Sequence, residues 1–361
     1  MQLFGETFTK DQILRRVGGI EQMGGVRRCR LAEGRQDGVD AVDFRTGGGL
    51  NFTVLPGRGM DISFAEYQGI PLNWRSPGGV AGGGFFEPQG WGWLRGFFGG
   101  MVTTTGLAYT GVPCADQGEE LGMCGRISHI PAANVWADGG WEGDEYIMWA
   151  RGRVREFKFE GYDLQLERRV WAVMGEKRFH IHDRVENMGF DRVPFMMNYH
   201  VVCGFPVVDE GAELCAPVRS VTPVDDVAAE GLHTYDVASA PVPGHPDWTF
   251  YLELGADQDG LTQAAVINRR FEGQRGLGLY VRYNMDNLPL LWSWRQQGEG
   301  LYVWGLEPSN CHWEGRAAER ERGTLRFLEP GQVAENRLEI GVLDGGREID
   351  AFQDRVRSLE E

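Results

Sequence analysis

Lysine is nearly missing from this sequence: Lys10, Lys158 and Lys177 are the only three among 361 residues, so 33 of the 36 basic side chains are arginine. That leaves few candidates for covalent amine chemistry of the Schiff-base kind. Cysteine is also sparse, with six residues. Cys29, Cys114, Cys124, Cys203, Cys215 and Cys311 form no CxxC pair, so the pattern reads as free thiols in a reducing, cytoplasmic setting rather than a disulfide framework or a zinc site. No GxxxxGK[ST] occurs, and the Gly-rich runs such as Gly82–Gly84 lack the strand–GxGxxG–helix setting of a dinucleotide site. No run of about 18 uncharged apolar residues is present, which excludes a helical membrane span. The first ten residues carry Glu6 and no basic stretch leading into an apolar core, so no secretory leader is expected. Helix signals are few. The formal charge of −16 argues against a nucleic-acid or anionic-membrane partner, although a local arginine patch can still hold an anion.

What is abundant is glycine, with 53 residues, alongside 12 tryptophans and 42% hydrophobic residues. A chain of this length and composition buries a large core. Glycine without a G-X-Y period, mixed with aromatics, predicts a turn-rich β-protein. Alternating or β-branched runs occur at Ala41–Arg45, Leu50–Leu55, Asp61–Tyr67, Glu145–Glu160, Tyr162–Val173 and Arg178–Glu186, and again at Pro194–Cys203, Leu277–Tyr283, Leu288–Trp294, Leu301–Leu306, Thr324–Leu328 and Val333–Val342. About fifteen strands, with no linker and no repeat, predict one all-β domain over 1–361: a large antiparallel β-sandwich of two facing sheets with few short helices. Helices are expected at about 9–17, capped by Thr9, and at about 348–360, where Ile349, Phe352, Val356 and Leu359 recur at helical spacing.

Two segments carry chemistry. In Phe195–Ala212, alternation along a strand puts Asn198 and His200 on one face, ahead of the acidic loop Asp209-Glu210. That histidine is either a general acid or a hydrogen-bonded core residue. In Trp304-Gly-Leu-Glu307-Pro-Ser-Asn310-Cys-His312-Trp, an apolar strand ends at a carboxylate whose following proline keeps the backbone extended. Glu307 is either aimed across the sheet or solvated. Trp74, Trp91 and Trp93 stand among glycines, as loop staples or as flat apolar faces suited to a sugar ring. His180 and His182 share a strand face; metal binding is the lesser expectation there, because Asp183 points to the other side.

Taken together, the motifs resemble the galactose mutarotase-like (aldose 1-epimerase) superfamily, in its bacterial epimerase-like branch. The matching pieces are Leu55-Pro-Gly-Arg58-Gly-Met-Asp61-Ile, Pro71-Leu-Asn-Trp74, Leu94-Arg95-Gly-Phe-Phe-Gly-Gly, Cys124-Gly-Arg126-Ile-Ser-His129, the His200 strand with its acidic loop, Gly305-Leu-Glu307-Pro-Ser-Asn310, and Leu328-Glu-Pro-Gly-Gln. They run in order over about residues 50–343. The resemblance implies a supersandwich with an open sugar cleft on one sheet, Glu307 as general base and His200 as general acid, with no metal or redox cofactor required. Substrate contacts are then expected from Arg126, Arg95, Asn198, Glu210, Asn310, Arg58, Asp61, Trp74, His129 and His312. Arg95 either grips an anion or braces its loop, and Arg58 with Asp61 either pairs or touches hydroxyls. The sequence departs from the pattern at Cys124, where many mutarotases place a second histidine; Arg126 or His129 are the candidates to replace the lost donor. The expected partner is a sugar or sugar derivative. The leading function is an aldose 1-epimerase-like isomerase. The alternatives are an epimerase or β-eliminating lyase acting on a keto-sugar, and a non-catalytic sugar-binding protein. Oligomeric state is open.

Overall fold

The computed structural model describes residues 1–360. Two large antiparallel sheets face each other. The first has eight strands in the order Ala133–Glu142, Glu145–Phe157, Asp163–Val173, Arg178–Asn187, Val333–Asp344, Leu277–Asn284, Leu261–Asn268 and Glu213–Cys215. The second has eleven, running Val218–Pro223, Trp248–Leu254, Leu290–Gly298, Leu301–Ser309, Met196–Gly204, Val102–Leu107, Asp61–Tyr67, Leu50–Leu55, Asp40–Arg45 and Gly25–Arg30, with Ile70–Pro71 beside Asp61–Tyr67. This is the β-sandwich that the alternating runs predict. Along Glu145–Phe157, for instance, Ala150 and Val154 are buried while Arg151, Arg153 and Arg155 face water.

The core fills the space between the sheets, with Phe44, Phe52, Phe179, Tyr199, Val201, Trp304 and Leu306 among its members. One polar network crosses it. Arg168 grips Asp183 through two hydrogen bonds of 2.8 and 2.6 Å and donates to Thr104 Oγ1, 2.8 Å away on the opposite sheet. Asp61 approaches the same guanidinium at 3.5 Å and accepts the Thr104 amide at 2.9 Å. Tyr199, from the His200 strand, donates its hydroxyl to Asp183 at 2.6 Å.

Several boundaries differ from expectation. The N-terminal helix spans only Lys10–Leu14; Thr9 caps it reciprocally with Gln12, and the Gly18-Gly19 pair beyond gives no further helical support. The C-terminal helix starts slightly earlier than expected, at Gly346–Glu360, and lays Ile349, Phe352 and Val356 over Ala265, Ile267 and Leu343 on the outer side of the eight-stranded sheet. Thr324–Leu328 shrinks to Phe327–Leu328. Helix Gly315–Arg322 was not expected; its sequence is mostly charged and has no apolar stripe. Strands Gly25–Arg30, Ile70–Pro71, Val102–Leu107, Ala133–Glu142, Glu213–Cys215, Val218–Pro223, Trp248–Leu254 and Leu261–Asn268 complete the sheets beyond the runs read from sequence. All six cysteines are free, as their spacing suggests. Among the described residues, no helix is long and apolar enough to cross a membrane.

Candidate active site

The site forms on the face of the eleven-stranded sheet turned away from the core. Alternation sends Tyr199, Val201 and Cys203 inward, which leaves Asn198 and His200 on the outer face. The same logic applies one strand over, where Trp304 and Leu306 face the core and Glu307 faces out. The register that pairs Asn198 with Ser309 and Val201 with Leu306 sets His200 opposite Glu307. Their side chains meet: His200 Nε2 lies 3.2 Å from Glu307 Oε1. Glu307 Oε2 accepts a hydrogen bond of 3.1 Å from Asn198 Nδ2.

The approach of His200 to Glu307 lacks the alignment of a hydrogen bond. Glu307 Oε1, His200 Nδ1 and Asn198 Oδ1 are all buried without a partner. Three orphaned polar atoms in one place amount to an unmet demand for a polar ligand. The histidine keeps 14% of its side chain exposed and the glutamate 2%, so a ligand reaches the imidazole first. Burial pushes the imidazole down to about 3. Burial also holds the Glu307 carboxyl well above the usual range; the Asn198 hydrogen bond opposes this and the nearby Asp247 carboxylate adds to it. A buried acid and a buried base in contact share one proton, and its position within the pair is set by what binds.

Aromatic rings wall the recess. Phe97 lies 5.2 Å from the His200 ring, and Trp294 meets it edge-on at 5.0 Å. Trp93 stacks on Phe97 at 4.9 Å, with Trp74 at 6.3 Å on the rim. The loop carrying Phe97 comes this close because Gly99, at φ +71°, rests against Trp74; a Cβ there would sit 2.6 Å from the indole. Trp294 Nε1 donates to Asp247 at 2.8 Å, and the Asp247 carboxyl is raised to about 6, chiefly by loss of solvation. Cys124 is buried among Trp93, Met123, Phe86, Phe97 and Trp313 within electrostatic reach of Glu307, and its thiol is pushed up by burial. At neutral pH it is an uncharged, weakly polar wall.

Of the residues expected in the site, Glu307, His200 and Asn198 come together and Trp74 borders them. The others lie elsewhere. Arg58 is fully buried and spends its guanidinium on the carbonyls of Ser128, Ala81 and Gly96 and on Ser128 Oγ, so it braces loops out of a substrate's reach. Asp61 belongs to the Arg168 network between the sheets. Asn310 is buried, its amide bridging Met197 N and Phe195 O. His129 stacks on Phe86 at 4.0 Å beneath Gly96. Arg126 lies over the other side chain's ring, 5.4 Å from the Phe86 centroid, and opens on a separate cavity of about 880 Å³ with Tyr109, Tyr162 and Lys158. Arg95 is exposed and paired with Glu87 at 3.1 Å. Glu210 lines another depression with Phe205, Asp209 and Arg270. His312 is held by Glu319 at 2.7 Å. His180 and His182 face Glu339 and Glu335 on the outer side of the eight-stranded sheet. Three site residues escaped the sequence reading. Trp294 had only strand membership to show for itself, Gly305 stood in the Glu307 motif with no role assigned to it, and Asp247 lies in a Pro-rich loop with no periodic signal.

The large antiparallel sandwich is that of the galactose mutarotase-like fold. A protein from Klebsiella pneumoniae provisionally named an aldose 1-epimerase superposes with a TM-score of 0.88 and 27% identity, over 93% of this chain and 88% of that one. A galactose 1-epimerase from Lactobacillus acidophilus gives 0.59 at 13% identity, covering 90% and 100% of the two chains. A galactose mutarotase-like protein from Clostridium acetobutylicum gives 0.61 at 11% identity, covering 90% and 99%. The sequence itself belongs to the family described as a domain of unknown function, DUF4432, whose model matches residues 36–342. No curated relative matches it.

Proposed function

We propose that this protein is a carbohydrate isomerase of the aldose 1-epimerase kind. The observation that carries this reading is the contact of His200 with Glu307 in an aromatic recess, with Glu307 Oε1 and His200 Nδ1 still unpartnered. Mutarotation needs one group to take the proton of the anomeric hydroxyl and another to protonate the ring oxygen. Both oxygens hang on a single carbon, so acid and base must stand close together. Glu307 as carboxylate removes the hydroxyl proton while His200 as imidazolium delivers one to the ring oxygen. The ring C–O bond breaks, the anomeric carbon becomes an aldehyde, and rotation about the bond to the next carbon presents its other face. Reclosure returns each proton and gives the other anomer. The resting pair and the working pair hold the same single proton, so a sugar needs only to shift it from Glu307 to His200. Trp294, Phe97 and Trp74 offer apolar faces for the ring's C–H groups.

The test is to add protein to freshly dissolved single anomers of several aldoses and follow optical rotation. Acceleration is expected, and both Glu307→Gln and His200→Ala abolish it. No acceleration with any aldose would refute the reading.

Cys124 favours one second reading. A neutral thiol in place of an imidazole leaves one hydrogen-bond donor fewer around the ring, which suits a keto-sugar whose carbon-bound proton Glu307 removes. Solvent deuterium incorporated at carbon identifies that reaction, since mutarotation exchanges none.

A further inference from the structure

The outer face of the eight-stranded sheet carries a feature that the His200 recess does not use. Strand register places Arg151 opposite Arg169, Arg169 opposite His182, and His182 opposite Arg337. Like charges directly opposed destabilise a sheet. The next row avoids this: Arg153, Glu167, Arg184 and Glu335 alternate in sign, closing at 2.9 Å and 3.1 Å. On the other flank runs an aromatic row, in which Trp149 faces Trp171 and Trp171 stacks on His180 at 3.9 Å. Trp136, 46% exposed, meets Trp149 edge-on at 5.5 Å. The guanidinium of Arg151 lies 4.7 Å from the Trp136 centroid, and that of Arg169 lies 5.9 and 6.0 Å from Trp149 and Trp171. Glu335 partly neutralises the far end, at 3.4 Å from His182 and 3.5 Å from Arg337. Among the described residues, Arg151 and Arg169 have no carboxylate within ion-pair distance. A hollow of about 430 Å³, lined by Trp171, His180, His182, Arg282, Arg337 and Glu339, closes the row.

In a chain of net charge −16, two directly opposed arginines, Arg151 and Arg169, that lack a carboxylate beside a tryptophan strip are a cost without an anion to meet it. We infer that this face binds a carboxylated oligosaccharide, its sugar rings on the Trp136–Trp149–Trp171 strip and its carboxylates on Arg151, Arg169 and Arg337. Guanidinium and carboxylate match in shape and charge, and indole faces take the C–H side of a sugar ring. A nucleic-acid strand fits less well. The acidic chain repels a dense phosphate backbone, whereas a few spaced carboxylates meet the few arginines.

Isothermal titration with tetragalacturonate tests this, with maltotetraose and an oligothymidylate as comparisons. Saturable, salt-sensitive binding of tetragalacturonate alone is expected. It weakens by about tenfold or more in the Arg151→Ala/Arg169→Ala double variant and in Trp171→Ala, and it persists in Glu307→Gln, which separates this face from the His200 recess. The inference is overturned if tetragalacturonate fails to bind or binds the double variant equally well. It is likewise overturned if oligothymidylate binds more tightly, or if sedimentation shows the face joining two copies of the chain that the double variant separates.

Discussion

Asn198 holds one oxygen of Glu307, its Nδ2 donating to Oε2 at 3.1 Å, and so turns the other oxygen toward His200. The amide stabilises the carboxylate form. Without it the Glu307 carboxyl rises further and the ionised, working pair becomes scarcer. Replacing Asn198 by alanine is therefore expected to lower kcat by about tenfold to a hundredfold, the worth of one hydrogen bond to a charged group. The alkaline limb of the rate profile, where the pair loses its single proton, moves to higher pH. A pH series of polarimetric rates reads both effects.

Gly305 makes room for the base. A Cβ at that position would lie 2.6 Å from Glu307 Oε1 and 3.3 Å from Trp294. Gly305→Ala is expected to push the carboxylate aside by a fraction of an ångström to an ångström, which costs about a hundredfold in rate when reacting groups are positioned this tightly. The thermal melt should change little by comparison, which distinguishes displacement of the base from loss of the fold.

Glu156 gives a pH dependence of stability unconnected with the acid–base pair. It is buried at the end of its strand, with Oε2 accepting the Leu107 amide at 2.9 Å and Oε1 unpartnered. Burial raises its carboxyl to about 7. The folded chain thus keeps a proton that the unfolded chain releases near a glutamate's ordinary 4.5. The resulting stability is complete below that value and fades as pH rises through about 7. Glu156→Gln is expected to be near neutral at acidic pH and to stabilise by up to about 3 kcal/mol at pH ~8. Urea unfolding at both pH values checks the sign and the size.

Much of the site was legible in sequence because strand parity is a local property. Asn198 and His200 share a face whatever packs around them, and the apolar run before Glu307 reads as a strand, although that strand does not end there but continues through Pro308 to Ser309. The arginines were not legible in this way. Arg58 sits in a glycine-rich motif that reads the same whether its guanidinium meets a ligand or three carbonyls, and only burial decides. Asn310 was misread for a similar reason, since an amide beside a catalytic strand serves equally to tie backbones together. Trp294 and Asp247 reach the recess through strand register and a loop path, neither of which leaves a local signal. Helix Gly315–Arg322 is held by ion pairs, Arg316 and Arg320 both gripping Asp116, rather than by an apolar stripe that periodicity detects.

Arg168 is the residue on which the two sheets agree. Arg168→Met would leave Asp183 and Asp61 buried without their counter-charge, and a loss of about 3–5 kcal/mol is expected in urea unfolding. Restoring neutrality with Asp183→Asn in the same chain should recover part of it, a double-mutant coupling that simple loss of packing would not produce.

Tyr199 extends that attachment to the chemistry. Its hydroxyl is fastened to Asp183 of the opposite sheet, while its two neighbours in the chain, Asn198 and His200, face the recess. The acid and the orienting amide therefore hang from a fixed anchor, and the rings that surround the ligand come from the separate stretch Trp74–Phe97 and from Trp294. On the proposed reading, the proton-transfer pair and the rings that select the ligand come from different stretches of the chain. Exchanging the Trp74–Phe97 stretch between relatives is thus a direct way to retarget the sugar while leaving the proton-transfer apparatus in place.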